Sequence, residues 1–256
     1  MSDDMHEGPA DPTSADPTSP GGTDDPSEFA AERGLLAAAT VRLVRTVDRL
    51  GDDDWTQDSA LPGWTRGHVV AHLALNAEGL AGALDGIARE RPVPMYPSQE
   101  ERDQAIDELG EAHPDELRDR LMGGCTAFSE AVSEVPDDRW DATFERTPGG
   151  KEITAREAVS MRLREVEIHH VDLSAGFTRH DWSPEFTRLL LDGMVARGLP
   201  RGPVVVDPTD LEGTWEYGEG GPTVQGTAAD LAWWLTGRGD GEGLTSDGEL
   251  PGIEAW

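Results

Sequence analysis

Two histidine-bearing stretches carry the means for chemistry in this sequence. One is Arg164-Glu165-Val166-Glu167-Ile168-His169-His170-Val171-Asp172; the other holds His68 and His72, four residues apart. Glu165 and His169 are also four apart, so a helix places them on one stripe, about 40° from each other around the axis. Val159, Leu163, Val166 and Leu173 define the adjoining apolar face, which puts the pair at the shoulder of a core, where a bundle can enclose a metal. Glu167 and His170 form a second candidate pair at i, i+3, and His170 projects from the middle of the apolar face. Helix geometry alone does not choose between the pairs. One imidazole from the first stretch with a Glu/His pair from the second makes a two-histidine, one-carboxylate site that leaves positions open for water or substrate. Zinc is the usual occupant for catalysis without redox, and ferrous iron is its main rival. Against a metal stands the fact that Glu-x-x-x-His is common as a surface pair and that a lone helical histidine is usually structural.

The elements that must position these residues read as follows. Leu35, Ala39, Leu43, Val47 and Leu50 recur at helical spacing within 29–50, and Gly51 stops that helix. Thr65 is an N-cap for a helix over 66–88. Three prolines make 91–98 a loop, and a further helix is expected from near Arg102. Pro114 and Pro136 bracket a helix over 115–134. Thr154 and Glu157 form a capping box for a long helix to about Ser174, with Gly176 as its C-cap. Ser183-Pro184-Glu185 opens a helix to about Arg197. Short strands are expected over 203–207, 213–217 and 222–225. Thr227 and Asp230 cap a last helix through Leu235, ended by Gly237. The chain thus reads as a helical bundle to about residue 178 followed by a smaller α/β piece, two modules rather than one interleaved fold. Residues 1–27 are Asp, Pro, Ser, Thr and Gly with almost nothing apolar, and are expected to be a disordered acidic tail.

Composition narrows the partners. The chain of 256 residues has 21 basic and 51 acidic residues, a formal net charge of −30. Such a surface repels phosphate backbones and anionic lipid heads, so neither nucleic acid nor membrane is an expected partner. The plainer meaning of the charge is solvation. Cys125 is the single cysteine, which rules out an internal disulfide and points to a reducing, cytoplasmic home. The N-terminus lacks the apolar stretch of a signal peptide, and no apolar run is long enough to span a bilayer. With no heptad seam or spare apolar face in the pattern, a monomer is the expectation.

The stretch Leu61-Pro-Gly-Trp-Thr-Arg-Gly-His-Val-Val-Ala-His72 closely resembles the second-helix signature of the mycothiol-dependent maleylpyruvate isomerase family. Arg162-Leu-Arg-Glu165-Val-Glu-Ile-His169-His-Val-Asp-Leu173 resembles the signature of that family's fourth helix. Met95-Tyr96-Pro97-Ser98 with Arg102-Asp103 resembles its middle loop, and Leu231-Ala-Trp-Trp-Leu-Thr-Gly-Arg238 its C-terminal motif. The resemblance runs in order from about residue 28 to 256. It implies a DinB-like four-helix bundle over 28–178 and a small sterol-carrier-like α/β domain over 179–256. It also implies that His72, Glu165 and His169 are the metal ligands, with His68, Glu167 and His170 supporting or structural. Asp172, one turn beyond His169, is a candidate to orient a metal-bound imidazole. Arg238 matches the family's C-terminal arginine, which would approach the metal from the second domain and act in catalysis and cosubstrate binding. Arg102 is a looser match to an arginine expected near the substrate.

The implied cofactor is a divalent metal, zinc first, and the implied cosubstrate is mycothiol. The implied reaction is cis–trans isomerisation of maleylpyruvate to fumarylpyruvate by thiolate addition, bond rotation and elimination, which is nucleophilic catalysis with a borrowed thiol. Arginine suits the dicarboxylate because its planar fork matches a carboxylate. Cys125 is then a packing residue, as are Trp64, Trp233 and Trp234. The same centre would also serve a mycothiol S-transferase. Bound water in place of thiolate would make it a hydrolase with Glu167 or Asp172 as base, and a metal-binding regulator would need no catalysis at all.

Overall fold

The computed structural model describes residues 26–195 and 200–253. Seven α-helices and six strands follow in chain order: α1 (Pro26–Val47), α2 (Arg66–Ala88), α3 (Gln99–Gly110), α4 (Pro114–Glu134), β1 (Thr143–Glu145), β2 (Glu152–Thr154), α5 (Ala155–Asp172), α6 (Pro184–Val195), β3 (Val204–Pro208), β4 (Trp215–Tyr217), β5 (Thr223–Gly226), α7 (Ala228–Leu235) and β6 (Thr245–Ser246). The protein is a helical bundle followed by a small α/β sheet module. Residues 1–25 of the expected acidic tail lie outside the described residues; its last two, Pro26 and Ser27, are the first turn of α1.

Four helices close the bundle: α1 packs on α5, α5 on α2, α2 on α4, and α4 back on α1, while α3 lies against α2. Their apolar stripes are fully withdrawn from water, with Leu43, Leu73, Leu80, Leu117 and Leu163 among the most buried side chains. α2 is the central helix, and its small residues let neighbours approach. A Cβ on Gly79 would stand 2.9 Å from the carbonyl of Met95, which is closer than that backbone can tolerate. No helix among the described residues is long and apolar enough to cross a membrane.

Two features that hydrophobic periodicity did not reveal bear on the site. β1 and β2 form an antiparallel hairpin, Phe144 opposite Ile153, that leads straight into α5. Its outer edge is not left open. The amides of Met95 and Tyr96 donate to the carbonyls of Glu145 (2.9 Å) and Arg146 (3.0 Å), so the proline loop is zipped to the hairpin. Strands of three residues are too short to show alternation. The loop then delivers Ser98, whose hydroxyl accepts from the Glu101 amide at 3.0 Å. That cap starts α3 at Gln99, three residues before the expected position.

The ends of α1 and α5 also differ from expectation. α1 runs three residues earlier at each end than the apolar spacing suggested. α5 stops at Asp172, and Ser174, not Gly176, takes the first left-handed conformation, φ 51°. Gly176 follows two residues later with φ 92°. The reason lies in tertiary capping. Arg66 Nε donates to the Leu173 carbonyl (2.9 Å) and Nη2 to that of Ser174 (2.8 Å), meeting orphan acceptors that a glycine cap would otherwise serve. The first residue of α2 is thereby tied to the last turn of α5.

The C-terminal sheet has the order β4-β3-β5-β6, with β3 parallel to β5 and the other pairs antiparallel. β6 was not foreseen, because two exposed residues carry no pattern. α6 stops at Val195, and residues 196–199, where its end was expected, lie outside the described residues. α6 and α7 pack on each other and on the sheet, burying Leu190, Leu191 and Leu231 against Val204, Val206 and Val224. Thr227 caps α7 through the Asp230 amide at 3.1 Å. Gly237, at φ 74°, turns the chain out of the helix and sends Arg238 back toward the bundle.

The Thr154 cap sets where α5 begins: its hydroxyl accepts from the Glu157 amide (3.1 Å), and the Glu157 carboxylate accepts from the Thr154 amide (2.8 Å). Thr154→Ala is expected to cost about 1 kcal/mol of stability, read as a lower midpoint with unchanged slope in urea unfolding.

Candidate metal centre

α2 and α5 run past each other so that the second helical turn of α2 meets the end of α5. His72 is on α2; Glu165 and His169 are on α5. One ligand atom from each lies within 4.8 Å of the other two. Glu165 Oε2 sits between the rings, 2.8 Å from His72 Nε2 and 3.2 Å from His169 Nε2. The rings are edge to face, with centroids 4.6 Å apart. Both histidines are buried, and Glu165 is partly so. Two imidazole nitrogens and one carboxylate oxygen at this spacing form a donor set that suits zinc.

The surroundings set the charge preference of each of the three groups. Burial would raise the Glu165 carboxyl, but hydrogen bonds from His169 and His72 override it and hold the group well below the usual carboxylate range. Burial dominates at His72 and pushes its imidazole down to about 4, against the pull of Glu165, so the ring is neutral near pH 7. At His169 burial is outweighed by the hydrogen bonds to Asp172 and Glu165, and the imidazole is raised. Asp172, fully buried, accepts from His169 Nδ1 at 2.8 Å. That bond fixes the tautomer and aims Nε2 at the cluster.

Both arginines singled out in the sequence stand nearby. Arg238 crosses from the C-terminal module and lays its Nε and Nη2 on the two oxygens of Asp172, at 2.9 and 2.8 Å. The guanidinium also lies over the Trp233 ring, 5.6 Å from its centre. Arg102, from α3, donates through Nη2 to His72 Nδ1 at 3.1 Å and through Nη1 to Asp103 at 2.7 Å. The site's other wall escaped the sequence reading. Tyr96 is buried beneath two guanidinium groups, those of Arg102 (5.6 Å) and Arg146 (5.7 Å). Burial pushes its phenol up, so it remains a donor. Its sequence signals were a proline loop and a place in the Met95-Tyr96-Pro97-Ser98 motif, neither of which gave it a role. Trp64 stands beside His72, ring centres 5.7 Å apart.

The rival residues face elsewhere. Glu167 pairs with Arg42 of α1. His170 Nε2 meets the Thr46 hydroxyl at 2.8 Å, and its ring stacks flat on Phe177 at 3.8 Å. His68 Nδ1 is 2.7 Å from Thr65 Oγ1, inside the cap of α2. Cys125 is half-buried on α4, where Arg162 Nη2 donates to its sulfur at 3.5 Å. A cation seated on the cluster should therefore depend on Asp172 and not on His170. Asp172→Asn is expected to weaken zinc binding about 10- to 100-fold in chelator competition, whereas His170→Gln should leave it unchanged.

The model of the mycothiol maleylpyruvate isomerase N-terminal domain matches residues 36–174, more than half the chain, and that of the family's C-terminal domain matches residues 181–255. Among solved structures, the crystal structure of the mycothiol-dependent maleylpyruvate isomerase is similar at a TM-score of 0.79 with 29% identity, covering 89% of this chain and 97% of that one. The structure of a histidine-to-alanine mutant of that enzyme gives a TM-score of 0.78 at the same identity and coverage. A comparison with curated proteins returns no significant match. With both modules matched in order and the whole fold superposing, the chain belongs to the mycothiol maleylpyruvate isomerase family.

Proposed function

We propose that this protein is a metal- and mycothiol-dependent cis–trans isomerase converting maleylpyruvate to fumarylpyruvate, with His72, Glu165 and His169 as ligands of a zinc ion. The observation that carries the reading is the convergence of these three donors within 4.8 Å, inside a chain whose two modules match the family's domains. The donor chemistry fits the metal: His72 is neutral, Glu165 is anionic, and Asp172 presents His169 through Nε2. Three protein ligands leave a position for a thiol. A divalent cation there supplies the charge that favours the thiolate of mycothiol near neutral pH.

In this reaction the sulfur adds to one carbon of the cis double bond, the former double bond rotates as a single bond, and loss of the same sulfur restores the double bond as trans. The chain's part is to bind and orient. Arg102 is the cation placed to hold a substrate carboxylate, and the Tyr96 phenol beside it is a hydrogen-bond donor for charge that develops on the substrate. Trp64 and Tyr96 shield the cluster from water. The nucleophilic sulfur comes from the cosubstrate, since Cys125, on α4, is engaged by Arg162 of α5.

Zinc-loaded protein incubated with mycothiol and maleylpyruvate is expected to produce fumarylpyruvate, followed by absorbance, only when metal and thiol are both present. His72→Ala should lose the metal and the turnover together. Mycothiol conjugates on other electrophiles without isomerisation would instead make the protein a transferase, and no thiol-dependent reaction of either kind would overturn the proposal.

A further inference from the structure

Arg146 follows β1 in the turn of the hairpin and is held there by neutral groups only. Its amide donates to the Lys151 carbonyl (2.8 Å), its carbonyl accepts from the Tyr96 amide (3.0 Å), and its Nη1 donates to the Gln99 side-chain oxygen (2.9 Å). It has no carboxylate partner among the described residues, although the chain carries 51 acidic residues. The guanidiniums around the metal centre are committed elsewhere. Arg238 is laid on Asp172, and Arg66 on Asp54 and two carbonyls. Arg146 keeps Nε and Nη2, one whole edge of its planar fork, without a protein acceptor among the described residues. That is the edge Arg238 uses on the two oxygens of Asp172.

The ring that Arg146 covers ties it to the site. Tyr96 lies under Arg146 at 5.7 Å and under Arg102 at 5.6 Å. Burial pushes the Tyr96 phenol up; Arg102 and Arg146 act against that rise, and Glu165 adds to it. The phenol is thus the point where the metal cluster and both cations are felt together. Two cations beside one ring repel each other. Asp103, 2.7 Å from Arg102, offsets one of them; nothing comparable offsets Arg146. With both guanidiniums so close to one ring centre, the ends of a small diacid extended across the ring reach one each. A monoacid satisfies only one, and a planar fork is the donor geometry a carboxylate prefers.

We propose that Arg146 is the second carboxylate anchor of this site: Arg102 takes the carboxylate nearer His72, the Nε/Nη2 edge of Arg146 takes the far one, and the pair selects diacids over monoacids. The assignment rests on the isomerase reading for its substrate, maleylpyruvate, which has a carboxylate at each end. It adds the residue that recognises the second charge.

Calorimetry on zinc-loaded protein tests the anchor without turnover, using pimelate, the saturated diacid of the same chain length as maleylpyruvate, and its monomethyl ester. The unaltered protein should bind pimelate about tenfold tighter than the ester or more, a comparison that needs no variant to fold. Arg146→Gln should lose about tenfold for pimelate and little for the ester, which still has Arg102. Arg146→Lys, which keeps the charge but not the fork, should recover part of that loss. In turnover, Arg146→Gln should raise the KM for maleylpyruvate far more than it lowers kcat, and leave the KM for mycothiol as it was. Equal affinity of the unaltered protein for diacid and ester, an equal loss of both in Arg146→Gln, or a fall in kcat alone would each overturn the anchor. A diacid preference that Arg146→Gln abolishes, with no isomerisation by the unaltered protein, would overturn the isomerase reading and leave the anchor standing. Isomerisation with an unchanged KM in Arg146→Gln would do the reverse.

Discussion

Charged and polar groups withdrawn from water must find partners within the protein, and each partner so recruited needs partners of its own. In this molecule that constraint generates a chain of six side chains. Arg102 donates to His72, His72 meets Glu165, and Glu165 is shared with His169. His169 then donates to Asp172, which is clasped by Arg238. Every junction is at hydrogen-bond distance, and the chain enters on α3 and leaves at the end of α7. Asp172, its most buried member, is tolerable only because a guanidinium and an imidazole both face it; burial would raise its carboxyl, and those two bonds hold it below its usual value.

The fold is arranged to keep that chain in register. Arg66 ties the start of α2 to the end of α5, while the Ala60 amide donates to the Asp172 carbonyl at 2.8 Å, so the backbone around the last turn is pinned from two directions. The hairpin before α5 does the equivalent for Arg102, because the residues that lead into α3 are bonded to its edge. Glu167 and His170, which share the helix, are drawn to α1 instead. Two polar faces of one helix are thus kept apart by the neighbours each one meets.

Periodicity and caps were enough to read α2, α4, α7 and the start of α5, because each pairs an apolar pattern with a well-placed cap or proline. Thr65, Thr154 and Thr227 cap as their positions suggest. The hairpin and β6 were not legible, since three exposed-buried positions or fewer do not define a period. Nor was the end of α5, whose cap is a side chain more than a hundred residues away. At the site, spacing brought Glu165 and His169 to one stripe but left Glu167 and His170 as equals. Only the packing partners of α5 separate them, and those are properties of two other helices, α1 and α2. Tyr96 stood in a recognised motif but had no assigned role for the same reason: nothing local says that two arginines will cover its ring.

Arg238 belongs to one module and Asp172 to the other, yet neither is satisfied alone. The junction between the modules therefore carries a buried charge within an otherwise apolar contact, since the buried residues of both modules form one hydrophobic cluster. A bundle that acquired a different C-terminal partner would keep its hydrophobic core but inherit a stranded carboxylate behind His169. The clasp thus makes the polarity of the junction depend on residues from both halves.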